Sequence, residues 1–383
     1  MVQDGQRRIV IGRAEANIIR SGVVFFHRRF RKPMDILTKT AGVGIPRTVR
    51  LPDFLPPWWC GFGLSLFMPI CIFAFFATGP HPAVQALAWT LPMGALFAAD
   101  CFGPSERRSV PADAPRWFFD GILYALVLLQ ILNALALGLL VSRLRWAGPL
   151  EVANSLGNLL AVRIMAGANF CCAAICPAHE LIHKHRRWHR MLGRFLFATV
   201  FYDHFSIAHK RAHHAMLGSA LDPSTAIAGE CYEDFFRRVA IQQWRIAWNA
   251  DRRATLTGAA VEAVWLAAYV WLFGLLAAAV FLRCAYLAIR ILESVNYFQH
   301  YGLTQASGRS RLAAWRNDSA VSLFLFLGLT RHADHHRRPG IPYPELCAPT
   351  EGPAMPYGYW GMAVMVLRRN EKYRAWVDSQ ENV

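Results

Sequence analysis

The stretch FLPPWWCGFGLSLFMPICIFAFFATGPHPAVQALAWTLPMGALFAA, residues 54–99, contains no Asp, Glu, Lys or Arg. A helix that crosses a bilayer needs about 20 apolar residues, and this run is more than twice that, far beyond what a soluble core helix requires. Gly79-Pro80-His81-Pro82 interrupts it with a turn through which no helix continues. The segment therefore predicts a hairpin of two membrane helices, each of roughly 17–24 residues.

Outward from this hairpin the same pattern recurs. Gly121 to Ser142 is uncharged, about Val152 to Ala178 carries only Arg163, and Ala263 to Leu282 is again uncharged. A shorter and less apolar run, Cys284 to His300, contains Arg290 and Glu293. The reading is an all-α integral membrane protein with about six transmembrane helices, which places both termini on one side. Residues 1–53 form a basic lead-in, and 54–383 form one membrane domain.

Orientation follows from the basic residues, which accumulate on the cytoplasmic side of membrane proteins. Of 41 lysines and arginines, eleven precede Phe54, three lie in 100–117, twelve in 179–253 and ten after His300. Only Arg143, Arg145 and Arg283 fall on the opposite side. The large basic segments are thus expected in the cytoplasm, and the membrane is expected to be a bacterial inner membrane. The net charge of +16 reflects this topology rather than nucleic-acid binding, since Trp58, Trp59 and Trp117 mark span edges instead of interleaving with a basic soluble face. Such a face can attract anionic lipid or an acidic protein partner. The nine cysteines include no CxxC pair and predict no disulfide framework, iron-sulfur cluster or zinc ribbon. The first 50 residues lack the apolar core of a cleaved signal.

Histidine carries the chemistry. Twelve of the 14 histidines lie between 179 and 336, and nine of them form four groups where a span meets the cytoplasm or within a cytoplasmic segment. The groups are His179 and His183 in HELIH; His209, His213 and His214 in HKRAHH; His300 in NYFQHYG; and His332, His335 and His336 in HADHH. Histidines four apart on a helix share a face and can aim both rings at one centre. HELIH alone would also suit a membrane zinc protease, with Glu180 as general base. A catalytic zinc, however, uses about three protein ligands, which would leave six clustered histidines without a purpose. Nine rings suit two metals of four or five protein ligands each. A cluster of this size without metal would bury many unpaired donors and acceptors. His27, His81, His185 and His189 read as surface or interfacial residues.

Taken in order, HELIHK, AHKRAHH, NYFQHYG and RHADHH resemble the membrane di-iron monooxygenases, the alkane hydroxylase and xylene monooxygenase family within the fatty-acid desaturase and hydroxylase superfamily. That family's patterns are HExxHK, EHxxGHH, NYxEHYG and RHxDHH. Leu221-Asp222-Pro223 and the segment PYGYWGM at 356–362 match as well, so the resemblance covers about residues 179–365. Two positions depart from the alkane pattern: Ala208 and Gln299 stand where it has Glu. Both look like the xylene-type branch, whereas RHADHH and GYWGM look like the alkane branch.

The resemblance implies nine metal ligands, His179, His183, His209, His213, His214, His300, His332, His335 and His336, holding two iron ions, with dioxygen as co-substrate. His204 matches a family position outside the ligand set. Glu180, Asp222, Gln299 and Asp334 are candidates to accept the outer ring N–H of ligating histidines. The implied reaction is hydroxylation of a terminal or benzylic methyl of an alkane or alkylbenzene arriving laterally from the lipid. A fatty-acyl desaturase or decarboxylase with the same metals is the alternative, followed by a zinc protease or a non-catalytic metal-binding membrane protein. The chain has no Gly-rich nucleotide fingerprint and no redox cluster of cysteines, so electrons must arrive on a separate carrier. The family uses rubredoxin, or a ferredoxin with its reductase; Arg337 and Arg338 are candidates to face such an acidic partner, the alternative being that they hold lipid headgroups or follow the topology bias.

Overall fold

The computed structural model describes residues 56–304 and 312–380; the lead-in expected over residues 1–53 lies outside the described residues. These residues form helices, with two isolated β-bridges and no strand. Helix α1, Trp58–Thr78, begins with tightly wound 3₁₀ turns over Trp58–Leu66 and continues as an α-helix. Beyond the Gly79–Pro82 turn, the expected second member of the hairpin is in two pieces, α2 (Ala83–Ala88) and α3 (Leu91–Phe102), separated at Trp89 and Thr90. At 1.5 Å per residue neither piece spans the roughly 30 Å hydrocarbon layer by itself.

Helix α4 (Arg116–Ser142) and helix α5 (Pro149–His183) are long and apolar enough to cross a membrane, as is α1. Pro149 at the start of α5 suits a position where no backbone N–H is needed. Where α5 meets the start of α2, an added Cβ on Gly157 would come within 2.7 Å of the Ala83 Cα, so the two backbones can approach only through glycine. Then follow α6 (Arg187–Thr199), α7 (205–216), α8 (Tyr232–Ala250) and α9 (Arg252–His300). Asp251 caps α9 by accepting from the Ala254 N–H at 2.9 Å.

The 49-residue α9 is the fourth candidate span, and it is two helices joined at a break. The break lies at Gly274, with φ 84° and ψ 172°, a region open to glycine alone. The expected boundary near Arg283 is therefore wrong. The apolar run from Ala263 to Leu282 gives no composition signal at the turn, and Arg283 lies inside the second half of α9 as a charge on an otherwise continuous helix. The two charges expected in the last span are both engaged. Arg290 pairs with Glu233 and lies over the Tyr232 and Phe236 rings, while buried Glu293 accepts from Tyr202, Gln243 and Asn296.

The remaining described helices are α10 (Ala320–Leu325), α11 (His332–Arg337), α12 (Tyr359–Arg368) and α13 (Asn370–Asp378). Buried Asp100, at the end of α3, ties this region to the bundle. It accepts from the Ser319 hydroxyl at 2.8 Å, the Ser322 hydroxyl at 2.5 Å and the Trp360 N–H at 2.9 Å, placing a carboxylate at the positive start of α12. Arg331, equally buried, donates to the carbonyls of Leu346 and Arg108 and so fixes the start of α11.

Replacing Gly274 by Ala should destabilise the protein by roughly 1–3 kcal/mol, because the added Cβ forbids the dihedral even though nothing crowds it. Gly121→Ala in α4, where the backbone is helical and the site open, should be neutral or stabilising. Melting midpoints in one detergent should separate the two variants; equal midpoints would contradict the role given to Gly274.

Candidate metal centre

All nine histidines anticipated from the sequence come together. His179 and His183 occupy the last turns of α5, and His300 is the last residue of α9. His209, His213 and His214 lie on α7, and His332, His335 and His336 on α11. They divide into two groups. His179, His183, His209, His214 and His335 form one, and His213, His300, His332 and His336 form the other; within each, the ligand atoms lie within 4.8 Å of one another. Six of the nine are buried and the other three are partly buried.

The winding of the helices decides which ring joins which group. On α-helical turns, partners four apart stay together, as with His179 and His183 or His332 and His336. Residues His209–His213 instead form a π-turn, whose extra residue per turn places residues five apart side by side. The Nε2 atoms of His209 and His214 accordingly meet at 2.9 Å, while His213 turns into the second group. A second π-turn, Cys171–Ile175, lies in α5 two turns before His179.

The rings converge through Nε2. His179 and His209 approach to 3.0 Å, and His335 and His214 to 3.2 Å. His332 approaches both His300 and His336 to 3.1 Å. A neutral imidazole has one donor and one acceptor, so rings packed Nε2 against Nε2 cannot all be satisfied by each other. His213 Nε2 is buried with no hydrogen-bond partner among the described residues. Cations between the rings would resolve both conditions, and nine imidazole nitrogens in sets of five and four match two ions. Burial first, then the neighbouring imidazoles, pushes His209, His332, His335 and His336 well below the usual histidine range. His214 is pushed to about 2. These rings stay unprotonated at neutral pH and keep lone pairs for a metal.

Among the described residues, two rings of the site have their outer nitrogen anchored. Asp222 accepts from His213 Nδ1 at 3.0 and 3.1 Å, and the Ala313 carbonyl accepts from His300 Nδ1 at 3.0 Å. Each bond fixes the tautomer and leaves Nε2 as the free lone pair. Asp222 is itself held by the Thr225 hydroxyl at 2.6 Å and the Ser224 N–H at 2.9 Å. Burial opposes its ionisation, but the His213 contact and the Thr225 bond outweigh this and hold its carboxyl below the ordinary range.

The other three candidates for this role do not touch a ring. Glu180 accepts from Lys184 at 3.1 Å and from the Tyr343 N–H at 3.3 Å. Asp334 pairs with Arg338 and accepts from the Cys347 N–H at 2.8 Å, so Arg338 is engaged while Arg337 stays exposed. Gln299 donates to the Tyr359 hydroxyl. Spacing from a ligand does not reveal a competing partner more than a hundred residues away, such as Tyr343. The Ala313 carbonyl left no sequence signal because any residue supplies one. His204, His185 and His189 stay outside both groups; His204 packs on Tyr202 and Trp244, and His189 meets the Tyr124 hydroxyl at 2.9 Å.

Residues 153–364 match the fatty acid desaturase family, which covers the fourth, fifth and sixth apolar runs and all four histidine groups. Alkane 1-monooxygenase 1 of Pseudomonas aeruginosa is 28% identical over 345 residues, spanning 81% of this chain and 86% of that protein. Alkane 1-monooxygenase 2 of the same organism is 27% identical over 303 residues, spanning 72% and 77%. The xylene/toluene monooxygenase hydroxylase component XylM of Pseudomonas putida is 26% identical over 250 residues, spanning 60% and 65%.

Asp222→Asn keeps the shape but loses the carboxylate that orients His213, and should weaken metal affinity by roughly 10–100-fold. Asp334→Asn, whose carboxylate meets Arg338 instead of a ring, should leave affinity within about twofold. Metal titration of the two purified variants tests the distinction, and equal affinities would contradict it.

Proposed function

The chain belongs to the fatty acid desaturase family, in its alkane hydroxylase and xylene monooxygenase branch, and is an oxidoreductase of the alkane monooxygenase kind; on that premise we propose that it is a membrane di-iron enzyme hydroxylating a terminal or benzylic methyl of a hydrophobic substrate. The observation that carries this reading is the convergence of nine histidines into groups of five and four. HELIH alone would have suited a single hydrolytic zinc, but His179 and His183 share their group with three further rings, more than such a site uses.

Two iron ions in these groups would supply reductive activation of dioxygen, so that a C–H bond becomes C–OH and the second oxygen leaves as water with two electrons and two protons. The protein's part is to hold and shield. His213 and His300 are locked with Nε2 inward by Asp222 and the Ala313 carbonyl. The groups also lie at the C-terminal ends of α5 and α9, where the helix dipoles concentrate negative potential and favour cations. That potential is a fixed field drawing positive charge to the site, together with Asp222, the one carboxylate among the described residues that hydrogen-bonds a ring of the two groups.

A hydrocarbon dissolves in the bilayer, and the spans that end in the histidines are themselves apolar, so the substrate reaches the site sideways from lipid. The electrons come from outside, from rubredoxin or from a ferredoxin with its reductase. The bacterial source of the relatives supports an inner membrane of a bacterium, the bias of basic residues supports the histidines and both termini in the cytoplasm, and the same charge would guide an acidic carrier.

Membranes containing the protein, given a reductase system, ¹⁸O₂ and either an n-alkane or an alkylbenzene, should yield alcohol carrying one labelled oxygen; an alkene, or an alcohol labelled only from water, would contradict hydroxylation. Purified protein should contain two iron atoms per chain, and His213→Ala should lose iron and turnover together. Turnover at limiting carrier should fall as salt rises, because screening confines charges to about 8 Å at physiological ionic strength, and should recover at saturating carrier. Arg337→Glu should raise the carrier concentration required without removing iron. Arg338 is a poorer probe because its reversal also breaks the pair with Asp334. Carrier dependence insensitive to salt and to Arg337→Glu would end the steering proposal alone.

A further inference from the structure

A cavity of about 680 Å³ lies at the opposite ends of α4 and α5 from the histidines. Three segments wall it: the Pro80–Pro82 turn, residues 142–145 at the end of α4, and the first turns of α5. Its volume is within the roughly 300–1,000 Å³ range of pockets that take a small-molecule ligand. The walls are held by side chains that act on backbone. Asn158, fully buried, accepts from the His81 N–H at 3.1 Å and donates to the His81 carbonyl at 2.7 Å. Asn154 accepts from the Ala83 N–H at 2.9 Å, and the Ser155 hydroxyl donates to the Arg145 carbonyl at 2.7 Å. His81, expected at a surface, is buried by this clamp.

The charge of the lining runs against the topology. Of 41 lysines and arginines, only Arg143, Arg145 and Arg283 fall on this side of the membrane, and two of these three line the cavity. The bias that fills the other side with arginine disfavours it here, so their meeting in one cavity has another cause. Both are exposed, and neither is neutralised. The Arg143 guanidinium has no hydrogen bond or ion pair among the described residues, and Arg145 comes no closer than 3.9 Å to Glu151, whose carboxylate also accepts from the Ala147 N–H. Asn154 keeps its Nδ2 donors without a partner among the described residues. The cavity also opens at the start of α5, the positive end of its dipole, where Gly148 supplies no side-chain cap. Donors therefore converge on it from three directions, against Glu151 as the one acidic side chain in its lining.

We propose that this cavity binds the headgroup of an anionic glycerophospholipid, with Arg143 and Arg145 on the phosphodiester oxygens and with Glu151 and Asn154 on hydroxyls of the head. Two arginines and one glutamate leave one net positive charge, which a single phosphodiester balances. A zwitterionic ethanolamine head, itself neutral, leaves that charge unbalanced. A soluble phosphate ester offers the same phosphate chemistry, but the rim favours a lipid. Val84, Trp146 and Leu150, one beside each wall, are exposed apolar side chains along which acyl chains can lie, and tryptophan is enriched at the headgroup level of a bilayer. The lipid would join the turn before α2 to α4 and α5, the last of which carries His179 and His183 at its far end. The site is independent of the reaction carried out there.

The test titrates the delipidated full chain in detergent with dioleoylphosphatidylglycerol or dioleoylphosphatidylethanolamine and counts bound lipid by native mass spectrometry. A single phosphatidylglycerol should bind saturably. Arg143→Ala and Arg145→Ala should each raise the half-saturating concentration by roughly 10-fold, the effect of losing a charge-assisted hydrogen bond. Arg283→Ala, which removes the third arginine of this side, should stay within about twofold of wild type. Because Arg143 is exposed and unpaired, its variant should keep the lipid-free melting midpoint, so that lost affinity is not misfolding. Equal affinity for the ethanolamine lipid would overturn the site, as would wild-type affinity in both Arg143→Ala and Arg145→Ala. Displacement of the bound lipid by glycerol 1-phosphate at a concentration comparable to the lipid's own would overturn the lipid assignment in favour of a soluble phosphate ester.

Discussion

The structure depends on bringing nine imidazoles into one region with their Nε2 atoms facing inward. Without cations the arrangement is unfavourable, because lone pairs and N–H groups taken from water meet rings that cannot satisfy them all. With cations the same convergence becomes a binding site, and metal binding then contributes to the stability of the fold around it. The long helices end where the rings are needed: α5 at His183 and α9 at His300. Short helices α7 and α11 supply the remaining six histidines, and Arg331 and Asp100 fasten the segments that carry α11.

Much of this was legible in the sequence because two signals in it are nearly free of context. Length of uncharged apolar sequence reports a membrane helix whatever surrounds it, which is why the long runs in α1, α4, α5 and α9 emerge as expected. Histidine four residues from histidine on a helix reports a shared face, so membership in the site needed no tertiary information. The division of that site did. His209 and His213 have the same spacing as His179 and His183, yet a π-turn sends them to different groups. Helix winding of that kind has no residue signature. Gly274 illustrates the same limit for the membrane helices, since a glycine among Phe and Leu looks like any other small packing residue until its dihedral is known.

Second partners were the least legible feature. Asp222 meets His213 nine residues earlier in the chain, a local relation that the Leu-Asp-Pro segment signalled. Glu180, Asp334 and Gln299 stand next to the clustered histidines in sequence but bond to Lys184, Arg338 and Tyr359. Both family departures belong here. Ala208 is fully buried, and the neighbouring His209 has no partner at Nδ1. Gln299 is uncharged and bonded to a tyrosine, so neither position contributes a carboxylate. The field at the two histidine groups is consequently set more by helix ends and by Asp222 than by a ring of acids.

The most direct test of the two-group site is to locate the metal by iron-edge anomalous scattering from crystals of the purified full chain. The account predicts two separate iron peaks, one enclosed by His179, His183, His209, His214 and His335, the other by His213, His300, His332 and His336. A single peak, or iron bound away from these rings, would contradict it.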